Sequence, residues 1–374
     1  MTLINAGTNH KAFAASSIFS EDEPHRLVVK ELIEKRNFQD VREEKCFGVL
    51  YGMALGDAIG ARLEFKPVRY GKVFLNGMGD SAIDHFDLKP GQWTDDTSMG
   101  LCLCDSLLSN QGTLNAHDLM QRFLAWWYLG YNNAFRFDGK KPSIGLGGNI
   151  SLSFHSYLNG NSPDGFTTAG DSQTSGNGSV MRLGAVPVCY WDNLVLAQDV
   201  AERQSRTTHR GDEAAECCRL LTFLMVNLIN GQNLKDCLEN LGDAFTSPEK
   251  SVQCLAKNEM ENNDRDRNWQ WKADDFKYSP KRTANDPGYI GSYAMDAVAM
   301  ALHCVWTTRS AKDAILKAVN LCGDADSVGA VAGQIAGAAY GFSEFPKEWI
   351  AAVNQWDNQE IGLRAFYLCH KIWQ

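Results

Sequence analysis

From Val41 onward, apolar residues recur at helical spacing through most of the chain. Segments 101–108, 119–129, 194–204, 214–229, 293–306 and 311–321 each have the length or the i, i+3, i+4 period of a helix with one buried face. Convincing apolar–polar alternation, the mark of a half-buried strand, is absent, so the pattern predicts a compact all-α fold. Clusters of Gly and Asn at 145–149, 158–161 and 170–178 mark loops between helices. Residues 257–288 are dense in charge and poor in aliphatics, and read as a solvated insertion or connection rather than a separate domain. No internal repeat stands out, and residues 41–374 read as one domain.

Residues 1–40 read as an added arm. Residues 1–19 are polar and small, without helical or strand periodicity. Ser20 and Glu23 then have the spacing of a capping box, with Pro24 just inside a helix that puts Leu27, Val28, Leu32 and Ile33 on one stripe. Such a stripe either packs on the main body or serves as a partner-binding surface.

Composition narrows the classes. The chain has 374 residues, 44% of them hydrophobic and 22% charged, which is ordinary globular material. Its 36 basic and 45 acidic residues leave a net charge of −9, which argues against nucleic acid as a partner. The 11 cysteines follow no zinc-knuckle spacing and read as reduced, mostly buried thiols of a cytoplasmic protein. No signal-peptide core and no run of about 18 apolar residues suggests a membrane segment.

Chemistry concentrates in four clusters. Thr94-Asp95-Asp96-Thr97-Ser98 opens an apolar run at 99–108. Thr94 suits an N-cap, and acids are common at helix starts because the dipole favours them. Two adjacent carboxylates between hydroxyl residues exceed what a cap needs, and hard oxygens suit Mg²⁺ or Mn²⁺. Gly323-Asp324-Ala325-Asp326-Ser327 repeats this pattern before a helix with glycines at 329, 333, 337 and 341, a spacing that clears one face for close packing. If the two acidic helix starts oppose one another, they supply oxygens for two cations. Near the first long helix, Gly56 and Gly60 flank Asp57, which reads first as a partner for backbone groups, while Glu64 lies beyond the helical pattern, free to face a cleft. Gly176-Asn177-Gly178-Ser179 has the composition of an anion nest or a plain turn.

Taken together, the clusters resemble the ADP-ribosylglycohydrolase family, which includes ADP-ribosylarginine hydrolases and dinitrogenase reductase-activating glycohydrolases. The resemblance spans about residues 45–345 and rests on G-x-x-x-G-D-A-x-G at 52–60, W-T-D-D-T at 93–97, G-N-G-S-x-M-R at 176–182 and G-D-x-D-S at 323–327. It implies an all-α catalytic domain with a central pair of Mg²⁺ or Mn²⁺ ions. By motif, Thr94, Asp95, Asp96, Asp324, Asp326 and Ser327 would be the metal ligands. Asp95, Asp96 or Glu64 would act as base or orient a water. Gly176, Asn177, Gly178 and Ser179 would cradle the ADP-ribose. His209 matches a family histidine near the substrate, although the proline usual soon after it is Arg210 here.

The reaction implied is hydrolysis of the bond between ADP-ribose and an acceptor side chain of a modified protein, through an oxocarbenium-like transition state. The closer likeness to the T-D-D-bearing arginine hydrolases than to serine-directed relatives implies arginine as acceptor. The resemblance also admits an immunity role against an ADP-ribosyltransferase toxin, with the arm reaching into the toxin. Two further classes differ in their marks. A silent, crystallin-like relative would have lost acidic ligands that this chain keeps. A serine hydrolase would need a strand before Ser327, where 311–321 has helical spacing.

Overall fold

The computed structural model of the chain describes residues 17–80, 85–138, 143–262, 267–277 and 289–374. Among them run sixteen α-helices: α1 (Arg26–Lys35), α2 (Val41–Gly60), α3 (Asp95–Ser109), α4 (Ala116–Leu129), α5 (Gly148–Leu158), α6 (Ala185–Cys189), α7 (Leu194–Arg206), α8 (Asp212–Ile229), α9 (Leu234–Glu239), α10 (Leu241–Ala244), α11 (Lys250–Lys257), α12 (Ala294–Trp306), α13 (Ala311–Val319), α14 (Ala325–Tyr340), α15 (Lys347–Asp357) and α16 (Glu360–His370). The all-α expectation holds. A short antiparallel pair, Met260–Asn262 with Arg267–Asn268, is the two-stranded exception.

The core is organised on α2 and α14. Helix α2 starts cleanly because the Asp40 side chain accepts from the Arg42 N–H and Glu43 and Glu44 meet the positive end of the dipole. Its glycines then face those of α14 so closely that a Cβ at Gly48, Gly52 or Gly56 would lie 2.4, 2.0 and 2.0 Å from the carbonyl oxygens of Gly337, Gly333 and Gly329. A Cβ at Gly60 would lie 2.3 Å from Ala325 O. The pairing is antiparallel, so the C-terminal end of α2 meets the N-terminal end of α14. Helices α12 and α13 pack on α14, α16 packs on α2, and α7 covers α8.

Two expectations need correction. The capping box does not form: α1 starts at Arg26, and Glu23 accepts instead from the Tyr367 hydroxyl. Its buried face is Val29 and Ile33, seated over Gly362 of α16, whereas Leu27 is 76% exposed. The described part of the arm is thus packed on the body. The charged stretch at 257–288 is less solvated than its composition suggests, since Trp269 and Trp271 are buried and Trp271 Nε1 donates to Leu255 O. Residues 278–288 of that stretch, and residues 1–16 of the arm, lie outside the described residues.

Candidate active site

The glycine contact between α2 and α14 delivers Asp57 and Glu64 to the same place as Asp324 and Asp326. The start of α3 is then tied on by Asp57. This carboxylate accepts from the N–H groups of Thr94 and Thr97, each 2.9 Å away, and from their hydroxyls at 2.9 and 2.7 Å. Three helix ends therefore converge, two of them N-termini whose dipoles favour negative charge. Thr94 occupies the N-cap position, but its side chain makes no cap bond. Its Oγ1 lies 2.9 Å from Asp57 Oδ1, 3.2 Å from Asp96 Oδ2 and 3.3 Å from Asp326 Oδ2. One hydroxyl proton cannot serve three acceptors.

Oxygens of Asp57, Asp96 and Asp326 lie within 4.8 Å of one another, as do oxygens of Glu64, Asp324 and Asp326. Asp326 belongs to both groups. Burial first, and Asp326 second, hold the Asp95, Asp96 and Glu64 carboxyls above the usual range. Burial and then Asp324 do the same to Asp326, and burial raises Asp57 despite its four donors. Asp96 Oδ1 and Glu64 Oε2 are buried without a hydrogen-bond partner. Acids this close, three of them round the single Thr94 hydroxyl and two leaving buried oxygens unmatched, fit hard divalent cations.

All of these acids but Asp57, which is fully buried, floor a cleft of about 710 Å³. Asp95 lines it beside Gly145, where a Cβ would come within 2.1 Å of Asp95 Oδ1, and its carboxylate is in neither acid group. Ser327 also lines the cleft, in the first turn of α14, with Oγ 3.6 Å from Met181 Sδ. The residues before it form helix α13 and not a strand, so Ser327 is no nucleophile elbow.

The Gly176–Gly178 wall differs from a nest. Neither glycine has positive φ, and the Asn177 N–H is already spent on Ser292 O. Asn177 Nδ2 donates to Gly291 O at 2.9 Å and Asp324 Oδ2 at 3.1 Å, tying the wall to the floor. The glycines are needed for close approach: a Cβ at Gly178 would meet the His209 ring at 3.0 Å. His209 lines the cleft behind them, and burial lowers its pKa to about 3. Ser179 is not brought to the cleft. It is fully buried, and its Oγ accepts from Ser205 Oγ at 2.8 Å.

Two residues were overlooked as site members. Asp57 does satisfy backbone groups, as its sequence context suggested, yet it also groups with Asp96 and Asp326 of the acid floor. The signal was available: it is the one charged residue in 46–60. Tyr289, whose hydroxyl bonds to Asp324, follows the charge-rich stretch and carried no such mark.

An all-α body is built round an acid-floored cleft, and the sequence profile of the ADP-ribosylglycohydrolase family matches residues 39–372. The chain belongs to this family and is a hydrolase. The match runs past the last motif and takes in α15 and α16. Among relatives, the chain is 33% identical over 312 residues to the ADP-ribosylarginine hydrolase Tri1 of Pseudomonas putida, covering 83% of this chain and 74% of that one. It is 28% identical over 324 residues to the ADP-ribosyl-[dinitrogen reductase] glycohydrolase of Rhodospirillum rubrum, covering 85% and 93%. A solved ADP-ribosylglycohydrolase-related protein complex superposes with a TM-score of 0.65 at 29% identity, covering 88% of this chain and 98% of the other.

Proposed function

We propose that the chain removes ADP-ribose from modified arginine side chains with the help of two Mg²⁺ or Mn²⁺ ions. The observation that carries this reading is the pair of acid groups sharing Asp326 on the cleft floor. Asp57, Asp96 and Asp326 would hold one ion and Glu64, Asp324 and Asp326 the other, with Thr94 and Ser327 alongside. When bound, such ions fix sugar hydroxyls and acidify water.

The chain's own residues do the rest. Asp95, which faces the cleft but lies outside both acid groups, takes a proton from water as its oxygen bonds to the anomeric carbon. The carbon–nitrogen bond breaks, its electron pair stays on the guanidine nitrogen, and the proton from Asp95 follows it. The ribose carries positive charge as that bond breaks, in an oxocarbenium-like transition state. Gly176, Asn177 and Gly178 shape the wall on which the nucleotide rests, with neutral His209 behind them. The Tri1 relative's own activity supports arginine as acceptor.

The substrate is tested by incubating the protein with ADP-ribosyl-arginine and ADP-ribosyl-serine peptides and measuring free ADP-ribose. Release from the arginine conjugate is expected, and release from the serine conjugate alone would overturn the assignment. A narrower proposal is immunity against an ADP-ribosyltransferase toxin. With Val29 and Ile33 committed to the body, the described arm offers a partner the outward face of α1, where Leu27 and Val28 are exposed. Replacing both by Ser should abolish binding to a cognate transferase and spare hydrolysis; unchanged binding would sink the idea.

A further inference from the structure

We propose that Phe65 is the specificity determinant for the acceptor, a platform on which the guanidinium of ADP-ribosylated arginine stacks; this rests on the hydrolase reading above. Phe65 follows Glu64, whose carboxylate belongs to the acid floor, and it has φ +63°, a left-handed conformation that bulky residues rarely adopt. That conformation, fixed by a hydrogen bond from Phe65 N–H to Gly323 O at 3.0 Å, turns Glu64 toward the acids and leaves the next ring at the mouth. Strain at such a place points to use.

The ring is 50% exposed and lines the cleft. It lies nearly parallel to Tyr289, with centroids 5.8 Å apart and planes 10° apart, while His85 and Phe86 meet it edge-on at 4.9 and 5.9 Å. Tyr289 is itself tied to Asp324. The platform is thus a buttressed aromatic surface whose chain neighbour is one of the floor carboxylates. A flat cation is the chemistry such a place favours: the π face attracts a guanidinium and offers nothing comparable to a neutral hydroxyl-linked acceptor. The acceptor also belongs to a folded protein, so its part of the site has to be at the exposed mouth, where Phe65 is. Stacking holds the guanidine without touching the reacting carbon, so it acts on binding more than on turnover.

The test compares wild type with Phe65→Asn, which removes the ring but tolerates the left-handed backbone, and with Phe65→Trp, which keeps a π face. Phe65→Leu is a second ring-free variant, and melting curves check each fold. For an ADP-ribosyl-arginine peptide, KM should rise about tenfold in Phe65→Asn, with kcat within about twofold, and return toward wild type in Phe65→Trp. Inhibition by free ADP-ribose, which lacks the acceptor, should stay within about twofold in all variants. A parallel loss of ADP-ribose affinity would assign the platform to the nucleotide and overturn the proposal. An unchanged KM in both ring-free variants would overturn it too. Failure of wild type to cleave the arginine conjugate would instead reject arginine as the acceptor, before any variant is compared.

Discussion

Asp326 stands where two buried acid groups meet, and like charges held this close repel unless something positive lies between them. Asp326→Asn should therefore leave the melting temperature in chelator unchanged or higher, while losing the stabilisation that the proposed Mg²⁺ or Mn²⁺ site would give wild type. That stabilisation is about 2.7 kcal/mol at a hundredfold excess over Kd, and calorimetric melts with and without the ion would measure it. His209 gives a pH prediction. Its folded pKa is lowered from 6.5 to about 3 by burial, with Arg182 adding to the effect. The unfolded chain then binds a proton that the native state refuses, so stability falls as pH drops through 6.5 toward 3. His209→Gln should flatten denaturation midpoints across that window; an unchanged slope would contradict the assignment. At this scale the T-D-D-T and G-D-x-D-S acids were legible because acids and hydroxyls together exceed a cap's needs. The placement of Ser179 away from the cleft was not legible, because a motif does not say which side of a turn each residue faces.

At the scale of elements, the site depends on how closely α2 and α14 approach. A Cβ at Gly52 would meet Gly333 O at 2.0 Å, a backbone atom that cannot swing aside, whereas one at Gly79 meets nothing within 4 Å. Gly52→Ala should cost about 1–3 kcal/mol or more and reduce activity by displacing Asp57 and Asp326. Gly79→Ala should change neither, as urea denaturation and turnover would report. The glycine spacing and most helices were readable because both follow from strong periodicity. The phase of α1 was not. In a helix this short, Leu27, Val28, Leu32 and Ile33 fit a stripe as well as Val29 and Ile33 do, and the choice was made by Gly362, whose missing side chain opens a seat for the latter pair. Tertiary partners likewise overrode the capping box: Glu23 is taken by Tyr367.

Across the whole molecule, the described part of the arm, from residue 17, is fastened to the C-terminal helix by charge as well as packing. Glu360 is buried and accepts from Ser17 Oγ at 2.6 Å, Arg26 at 3.2 Å and Arg136 at 2.9 Å. Deleting residues 1–36 leaves that carboxylate two partners short and uncovers the seat of Val29 and Ile33. A loss of at least about 1–3 kcal/mol of stability is expected in denaturant titrations. An arm that only decorated the enzyme would cost nothing.

The central claim is that the converging acids work as a cation-dependent glycohydrolase acting on arginine. Its most direct test is the rate of ADP-ribose release from ADP-ribosyl-arginine as Mg²⁺ or Mn²⁺ is titrated into chelator-treated protein, with Asp326→Asn alongside. Negligible release in chelator, saturable recovery with the ion and no recovery in the variant are predicted. Full turnover in excess chelator would contradict the account.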